Sequence, residues 1–452
     1  MKLKLLLILI FYNIGIATYA KEHKPNFIII FTDDQGYEDL GCYGSPKIKT
    51  PRIDQMAAEG MKFTDFYAQT VCGPSRAAIM TGCYPFRIKR DDSYVSPHPR
   101  VSLSEVMLPE ILQPLGYKTG MIGKWDLAGH SQKGFTPELS PMFQGFDYTY
   151  WTPSSNDSSV DLYEGSVLLE EKTDMSTLTE RYTDQALHFM TTHRESPFFL
   201  YLAHTMPHVR LAVSEKFKGK SAGGIYGDVI EEIDFHTGRI LDKLKELDID
   251  KNTYVVFTSD NGHWWICGPK GGNGGPLRGA KTGTYDGGLR VPCIVRAPGR
   301  IPAGTACNLV TSTIDLLPTF TSLAGGTLPA NRVIDGHDLS HVLDGSQTTL
   351  DRTFFYYQHK ALRAVRKGDW KLFLPHSKKD RTREGDTWRK HLAEADRAYI
   401  EELTLYNLKQ DIGETTNVAK ENPEVVADLL TDLAFAKKDI GYQDHIGENA
   451  RR

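Results

Sequence analysis

The run PNFIIIFTDD, residues 25–34, decides the fold. Five consecutive side chains, Phe27 to Phe31, are apolar, so neither side of this segment is suited to water. A strand of that kind is buried on both faces, as parallel strands are in the middle of an α/β sheet. It ends on two adjacent aspartates, Asp33 and Asp34. Three further segments follow the same plan. TGMIGK (119–124) ends on Lys124, PFFLYLA (197–203) runs into His204, and NTYVVFTS (252–259) runs into Asp260 and Asn261. Residues 227–247 have helical spacing and precede the last of these strands. Helices alternating with buried strands predict an α/β fold with a large, mostly parallel or mixed central sheet flanked by helices.

Beyond Gly336 the pattern changes. Residues 353–357, 362–366 and 370–374 alternate enough to be short strands, and LRAVRKGDWKLF predicts a hairpin turning at 367–369. Residues 421–438 read as a terminal amphipathic helix. The expected division is a catalytic domain over 21–340 and a smaller C-terminal domain over 341–452. The second carries an antiparallel sheet and a helix and contributes to the substrate pocket. The charged stretch 382–398 reads as a solvated excursion.

A chain of 452 residues, 40% hydrophobic and 24% charged, has ample material for a large core. Its formal net charge of -4 carries no basic footprint for nucleic acid. The first twenty residues hold Lys2 and Lys4, an apolar run over 5–16 and small residues near 17–20. They read as a secretory signal peptide, too short in its apolar run to be an anchor. The expected location is therefore secreted or periplasmic, with no stable membrane anchor. Six cysteines in an exported chain permit disulfides, but their pairing is not legible, and no CxxC suggests a thiolate zinc site.

In open α/β sheets, sites form at the carboxyl ends of the strands. Asp33, Asp34, Asp260 and Asn261 collect there. Carboxylates that close repel unless a cation joins them, and an all-oxygen set suits calcium or magnesium. A plain Asp-Asn-Gly turn is the alternative. The second notable stretch is VCGPSRAAIMTG, residues 71–82. Pro74 fits a first helical turn, so Cys72 lies near the free N–H groups of a helix start. Arg76 adds a fork of donors suited to a tetrahedral oxyanion. Three readings stay open for Cys72: a small buried thiol, a nucleophilic thiolate, or the precursor of something else.

These motifs together resemble the type I, formylglycine-dependent sulfatases of the alkaline phosphatase superfamily. The resemblance rests on Cys72-Gly73-Pro74-Ser75-Arg76 with Thr81-Gly82, and on NFIIIFTDDQGYEDLGCYG, GYKTGMIGKW, LYLAHTMPH, VVFTSDNG, GPLRGAKTGTYDGGLRVP and LYNLKQDIGETTNV, in family order over about residues 24 to 440. It implies a sulfatase acting on a sulfated saccharide, with Cys72 oxidised to Cα-formylglycine by a formylglycine-generating or anaerobic sulfatase-maturating enzyme. It also implies one calcium ion, with magnesium the lesser choice, bound by Asp33, Asp34, Asp260, Asn261 and the modified Cys72. Arg76 would hold the nucleophile, Lys124 and Lys281 would contact sulfate, and His204 would assist the leaving group. His208 is expected either to line the substrate pocket or to cap its loop.

Two departures from the family pattern matter. Asp126 stands where the family form GKWHLG has a histidine base, so either Asp126 or His130 takes the role, or turnover is impaired. Arg210 replaces a common proline and, facing the pocket, would favour an anionic substrate. The alternative functions are a catalytically impaired sulfate-ester binding protein, and a phosphatase or phosphonate monoester hydrolase of the same superfamily.

Overall fold

The computed structural model describes residues 24–88, 100–157, 159–376 and 400–451. The leader at 1–20 and the charged excursion at 382–398 lie outside the described residues. Among the described residues no helix is long and apolar enough to cross a membrane.

A ten-stranded mixed sheet organises the larger part of the chain. Its order is Thr305–Cys307, Met61–Phe63, Cys293–Arg296, Thr253–Ser259, Asn26–Thr32, Phe198–Ala203, Lys118–Lys124, Tyr148–Thr152, Leu162–Glu164 and Val167–Glu170. The five central strands from Thr253–Ser259 to Tyr148–Thr152 are parallel. Antiparallel pairs appear towards both edges. The unbroken apolar run of the first strand is explained by its central place. Phe27, Ile29 and Phe31 enter the core on one side, Ile28 and Ile30 the core on the other, and all five are fully buried. Each such side chain contributes about 1.5–3 kcal/mol by leaving water. Phe27 stacks on Phe320, with centroids 4.3 Å apart. The helix Gly224–Glu246 presents Ile233, Ile240 and Leu244 to the opposite core.

The register decides where the polar strand ends go. Thr32 pairs with Ser259, Phe31 with Ala203, and Gly123 with Ala203. Asp33, Asp260, His204 and Lys124 therefore leave the sheet at one edge, side by side.

The second sheet is antiparallel, in the order Thr353–Gln358, Ala361–Lys367, Trp370–Phe373 and Thr404–Asn407. The expected hairpin closes with Lys367 opposite Trp370 and with Gly368 at φ +57°, a conformation that favours glycine. The helix Pro423–Asp439 covers this sheet through Leu429, Leu433 and Ala436.

A buried charge cluster ties the second sheet to the helix Asp286–Leu289, which precedes strand Cys293–Arg296 of the first. Lys371 Nζ lies 2.8 Å from Asp286 Oδ1 and 2.7 Å from Glu414 Oε1, with all three side chains fully buried. Glu414 also accepts the Asp286 N–H at 2.7 Å, and Gln358 donates to the Thr282 carbonyl at 2.6 Å. The second sheet thus grips the loop that carries Lys281. Removing one partner of such a cluster leaves an uncompensated buried charge. Lys371→Met is therefore expected to destabilise the protein by about 3–5 kcal/mol, read by urea denaturation. A midpoint equal to that of the wild type would show that the cluster contributes nothing.

Candidate active site

The helix Cys72–Thr81 opens at the sheet edge after Val71, which is extended, and closes at Gly82 in the left-handed conformation. One helical turn separates Cys72 from Arg76, so the two share a face. Cys72 Sγ donates to Asp33 Oδ1 at 3.1 Å and lies 3.7 Å from Asp34 Oδ1. Lys281 Nζ lies 3.5 Å from the sulfur. Burial, with Asp260 and Asp33 nearby, pushes the thiol well above its ordinary range. Burial and the two carboxylates thus work against a thiolate at Cys72.

Three cations balance three carboxylates around this residue. Arg76 donates to Asp260 Oδ2 at 2.8 Å and to the Lys124 carbonyl at 2.9 Å, and approaches Asp33 Oδ2 at 3.8 Å. Lys124 Nζ donates to Asp33 Oδ2 at 2.6 Å, and Lys281 Nζ to Asp34 Oδ2 at 2.7 Å. Burial works to raise Asp33, but Lys124, His208 and Arg76 outweigh it and hold it well below the usual carboxylate range. Burial and the neighbouring Asp33 push Asp260 up to about 7.

The carboxylates and the amide suit a hard cation. Ligand atoms of Asp33, Asp34, Cys72 and His208 all lie within 4.8 Å of one another. Asp260 Oδ1 accepts the Asp34 N–H at 3.1 Å, and Asn261 Nδ2 donates to Asp34 Oδ1 at 2.8 Å. Asn261 Oδ1 is buried without a partner among the described residues. Such an orphaned acceptor beside three carboxylates is an observation that fits a divalent ion.

The two histidines of LYLAHTMPH go to opposite places. Side chains alternate across a strand and just past its end. Ala203 belongs to one core, so His204 turns to the other, where it is buried near Tyr182 and His236. Burial, with His236 and Arg76, brings it down to about 3. His204 is thus not brought into the site, contrary to its expected place beside the leaving group. His208 is brought there instead. Its Nδ1 lies 3.0 Å from Asn156 Oδ1, and its Nε2 lies 3.6 Å from Asp34 Oδ2. Arg210 is exposed and is not among the residues lining the cavity described next.

A cavity of about 380 Å³ opens over Cys72. Its wall includes Asp126, His130, Asp157, His208, Trp264 and Lys281, and none of its lining residues comes from the second sheet. Asp157 was not legible as a site residue, because it lies on a different strand's loop. None of the six cysteines forms a disulfide.

A buried residue at a helix mouth, ringed by cations and carboxylates at the edge of a parallel sheet, defines a hydrolase for anionic esters. Comparison with known proteins narrows that class. Residues 25–326 match the sulfatase family model, and residues 349–449 match the C-terminal region of aryl-sulfatase. The chain is 38% identical over 401 residues to N-acetylgalactosamine-6-sulfatase of Mus musculus, covering 81% of this chain and 75% of that protein. A Bacteroides thetaiotaomicron structure, from work on metabolism of multiple glycosaminoglycans, superposes with TM-score 0.79 at 28% identity, covering 92% and 99% of the two chains. The PsFucS1 sulfatase of Pseudoalteromonas sp. gives TM-score 0.77 at 25% identity, covering 92% and 91%. The chain belongs to the sulfatase family, among the type I sulfatases of the alkaline phosphatase superfamily, and is a sulfuric ester hydrolase.

Proposed function

We propose that this enzyme releases inorganic sulfate from a sulfated carbohydrate, using Cα-formylglycine made from Cys72 and one calcium ion. The carrying observation is the charge count of the site. Asp33, Asp34 and Asp260 offset Arg76, Lys124 and Lys281. A divalent cation alone would add two positive charges to that balanced, buried site, and a sulfate monoester, with its single negative charge, lowers the excess to one. The names of the relatives, N-acetylgalactosamine-6-sulfatase and a glycosaminoglycan-metabolism protein, support a sugar as the alcohol.

Oxidation of Cys72 supplies an aldehyde whose hydrate is a nucleophile, a role the buried neutral thiol is not suited to. A bound cation supplies a Lewis acid that polarises a sulfate oxygen; Asp33, Asp34, Asp260 and Asn261 are the residues to hold it. Arg76 fixes Asp260 and the end of the Lys124 strand. Lys124 and Lys281 place positive charge over the peripheral oxygens, where charge builds up in the transition state. His208, its Nδ1 fixed by Asn156, turns Nε2 to the cavity beside the leaving alcohol. Asp126 stands in the cavity wall where the family form has its histidine, with its carboxylate bonded to His130 at 2.8 Å. Residues 1–20 direct export to a secreted or periplasmic location, and a maturation enzyme recognises the 72–76 motif.

Intact mass, metal content and sulfate release test this together. The mature chain is expected to be lighter by about 18 Da than its cysteine form, as formula arithmetic requires for a covalent change of this kind. It should hold one calcium and release sulfate from N-acetylgalactosamine 6-sulfate or related sulfated sugars. Fully modified, calcium-loaded protein that binds sulfated sugars without releasing sulfate would instead be a binding protein. Faster release of phosphate than of sulfate from matched esters would favour the phosphatase reading.

A further inference from the structure

His130 has a carboxylate at each ring nitrogen. Nδ1 lies 2.8 Å from Asp126 Oδ1, and Nε2 lies 3.1 Å from Asp157 Oδ2. Ionised carboxylates only accept, so both nitrogens must donate, and the ring is an imidazolium. Asp126 and His130 stand on the loop after Lys118–Lys124, and Asp157 on the loop after Tyr148–Thr152. Those strands are parallel neighbours, with Lys124 opposite Thr152. The loops are stitched together just beyond. Trp125 N donates to Thr152 O at 3.0 Å and Asp126 N to Pro153 O at 3.1 Å, while Gln132 donates to Ser155 O at 3.0 Å. Ser155 Oγ donates to Asp157 Oδ2. All three members of the unit line the cavity above Cys72.

We propose that Asp157 is a positioning residue for sulfate-ester hydrolysis, which clamps His130 against Asp126 so that Asp126, His130 and Asp157 act as one unit in the cavity wall. The proposal rests on the function given above. It also joins what the sequence offers as rivals, since Asp126 and His130 are in contact. Asp126 is 1% exposed and Asp157 is exposed at the cavity side, so the inner carboxylate is held and the outer one does the holding. The groups facing His130 are Asp126, Asp157 and Lys124, and those facing Asp126 are His130, Lys124 and Arg100. Asp126 raises His130, burial opposes it, and the two hydrogen bonds help bring it up to about 9. Burial raises Asp126, but His130 and Lys124 bring it down to about 2. The folded midpoint of His130 is above its ordinary value of about 6.5. The clamp is therefore complete at and below that pH and is lost as pH rises through about 9.

The test combines nitrogen-15 NMR of histidine-labelled, calcium-loaded enzyme with pH–rate profiles. The His130 signal is assigned by its loss in His130→Gln. In the wild type His130 should titrate near 9 with both nitrogens protonated at pH 7.5. Asp157→Asn should lower that midpoint by about one unit or more and cut kcat about tenfold, less than the loss of a directly acting acid or base. KM should hold, the alkaline limb of kcat should move down with the midpoint, and Asp157→Glu should restore part of both. A wild-type midpoint near 6.5 overturns the proposal. So does an Asp157→Asn enzyme in which only the midpoint or only kcat changes. Wild-type enzyme that releases no sulfate from any sulfated sugar refutes the function instead, and the His130 midpoint still reads the clamp.

Discussion

Cys72→Ala is expected to abolish sulfate release, by at least about 10⁴-fold, the scale on which loss of a nucleophile registers. The fold should survive. The side chain is small, and its one donated hydrogen bond goes to Asp33, which Lys124 also holds. The loss should thus appear in kcat with little change in melting temperature. Cys72→Ser should behave in the same way unless the maturation enzyme accepts serine, and its mass would reveal that. Wild-type protein made without a maturation enzyme is the third arm. Its thiol is held neutral by burial and by Asp260 and Asp33, so it should be nearly as inactive as Cys72→Ala. Near-full activity in either protein would refute the role of Cys72.

The strands nearest the site were the most legible part of the chain. Both sides of Asn26–Thr32 and Thr253–Ser259 are buried, so burial leaves its mark on every residue, and their observed ends fall within one residue of expectation. The edge strand Thr305–Cys307 and the next-to-edge strand Leu162–Glu164 are three residues long and carry no comparable pattern. The cation and carboxylate residues were legible because each follows a strand or a glycine-rich turn. What failed was direction. His204 follows its strand directly and looks like a site residue, but the two-residue period sends it to the far core. Four residues later the chain has turned, and His208 enters the cavity wall. Asp157 required knowledge that two distant loops are stitched together, which follows from strand order and not from local sequence.

Arg76→Met should be among the most damaging changes that keep Cys72 itself, and because Arg76 belongs to the 72–76 motif, intact mass must first show whether Cys72 is still converted in the variant. Arg76 is fully buried, spans Asp260 and the Lys124 carbonyl, and lies over the Phe31 ring at 5.3 Å. Methionine retains much of the aliphatic length but none of the charge. Asp260 then loses its charged partner at 2.8 Å, and Asp33 loses one at 3.8 Å. A buried carboxylate stripped of its partner costs about 3–5 kcal/mol, so the variant should melt well below the wild type in calcium-free buffer. A ligand that binds only the folded state stabilises it by mass action, by about 2.7 kcal/mol at a hundred times its Kd. Millimolar calcium should therefore restore more stability to Arg76→Met than it adds to the wild type, because the site has gained a full negative charge. Activity should not return, since the guanidinium also holds the end of the Lys124 strand. Thermal melts with calcium and with chelator, on both proteins, separate the outcomes. A variant as stable as the wild type without calcium would show that Arg76 does not compensate the carboxylates. A destabilised variant that calcium does not help would show that the carboxylates do not form a cation site.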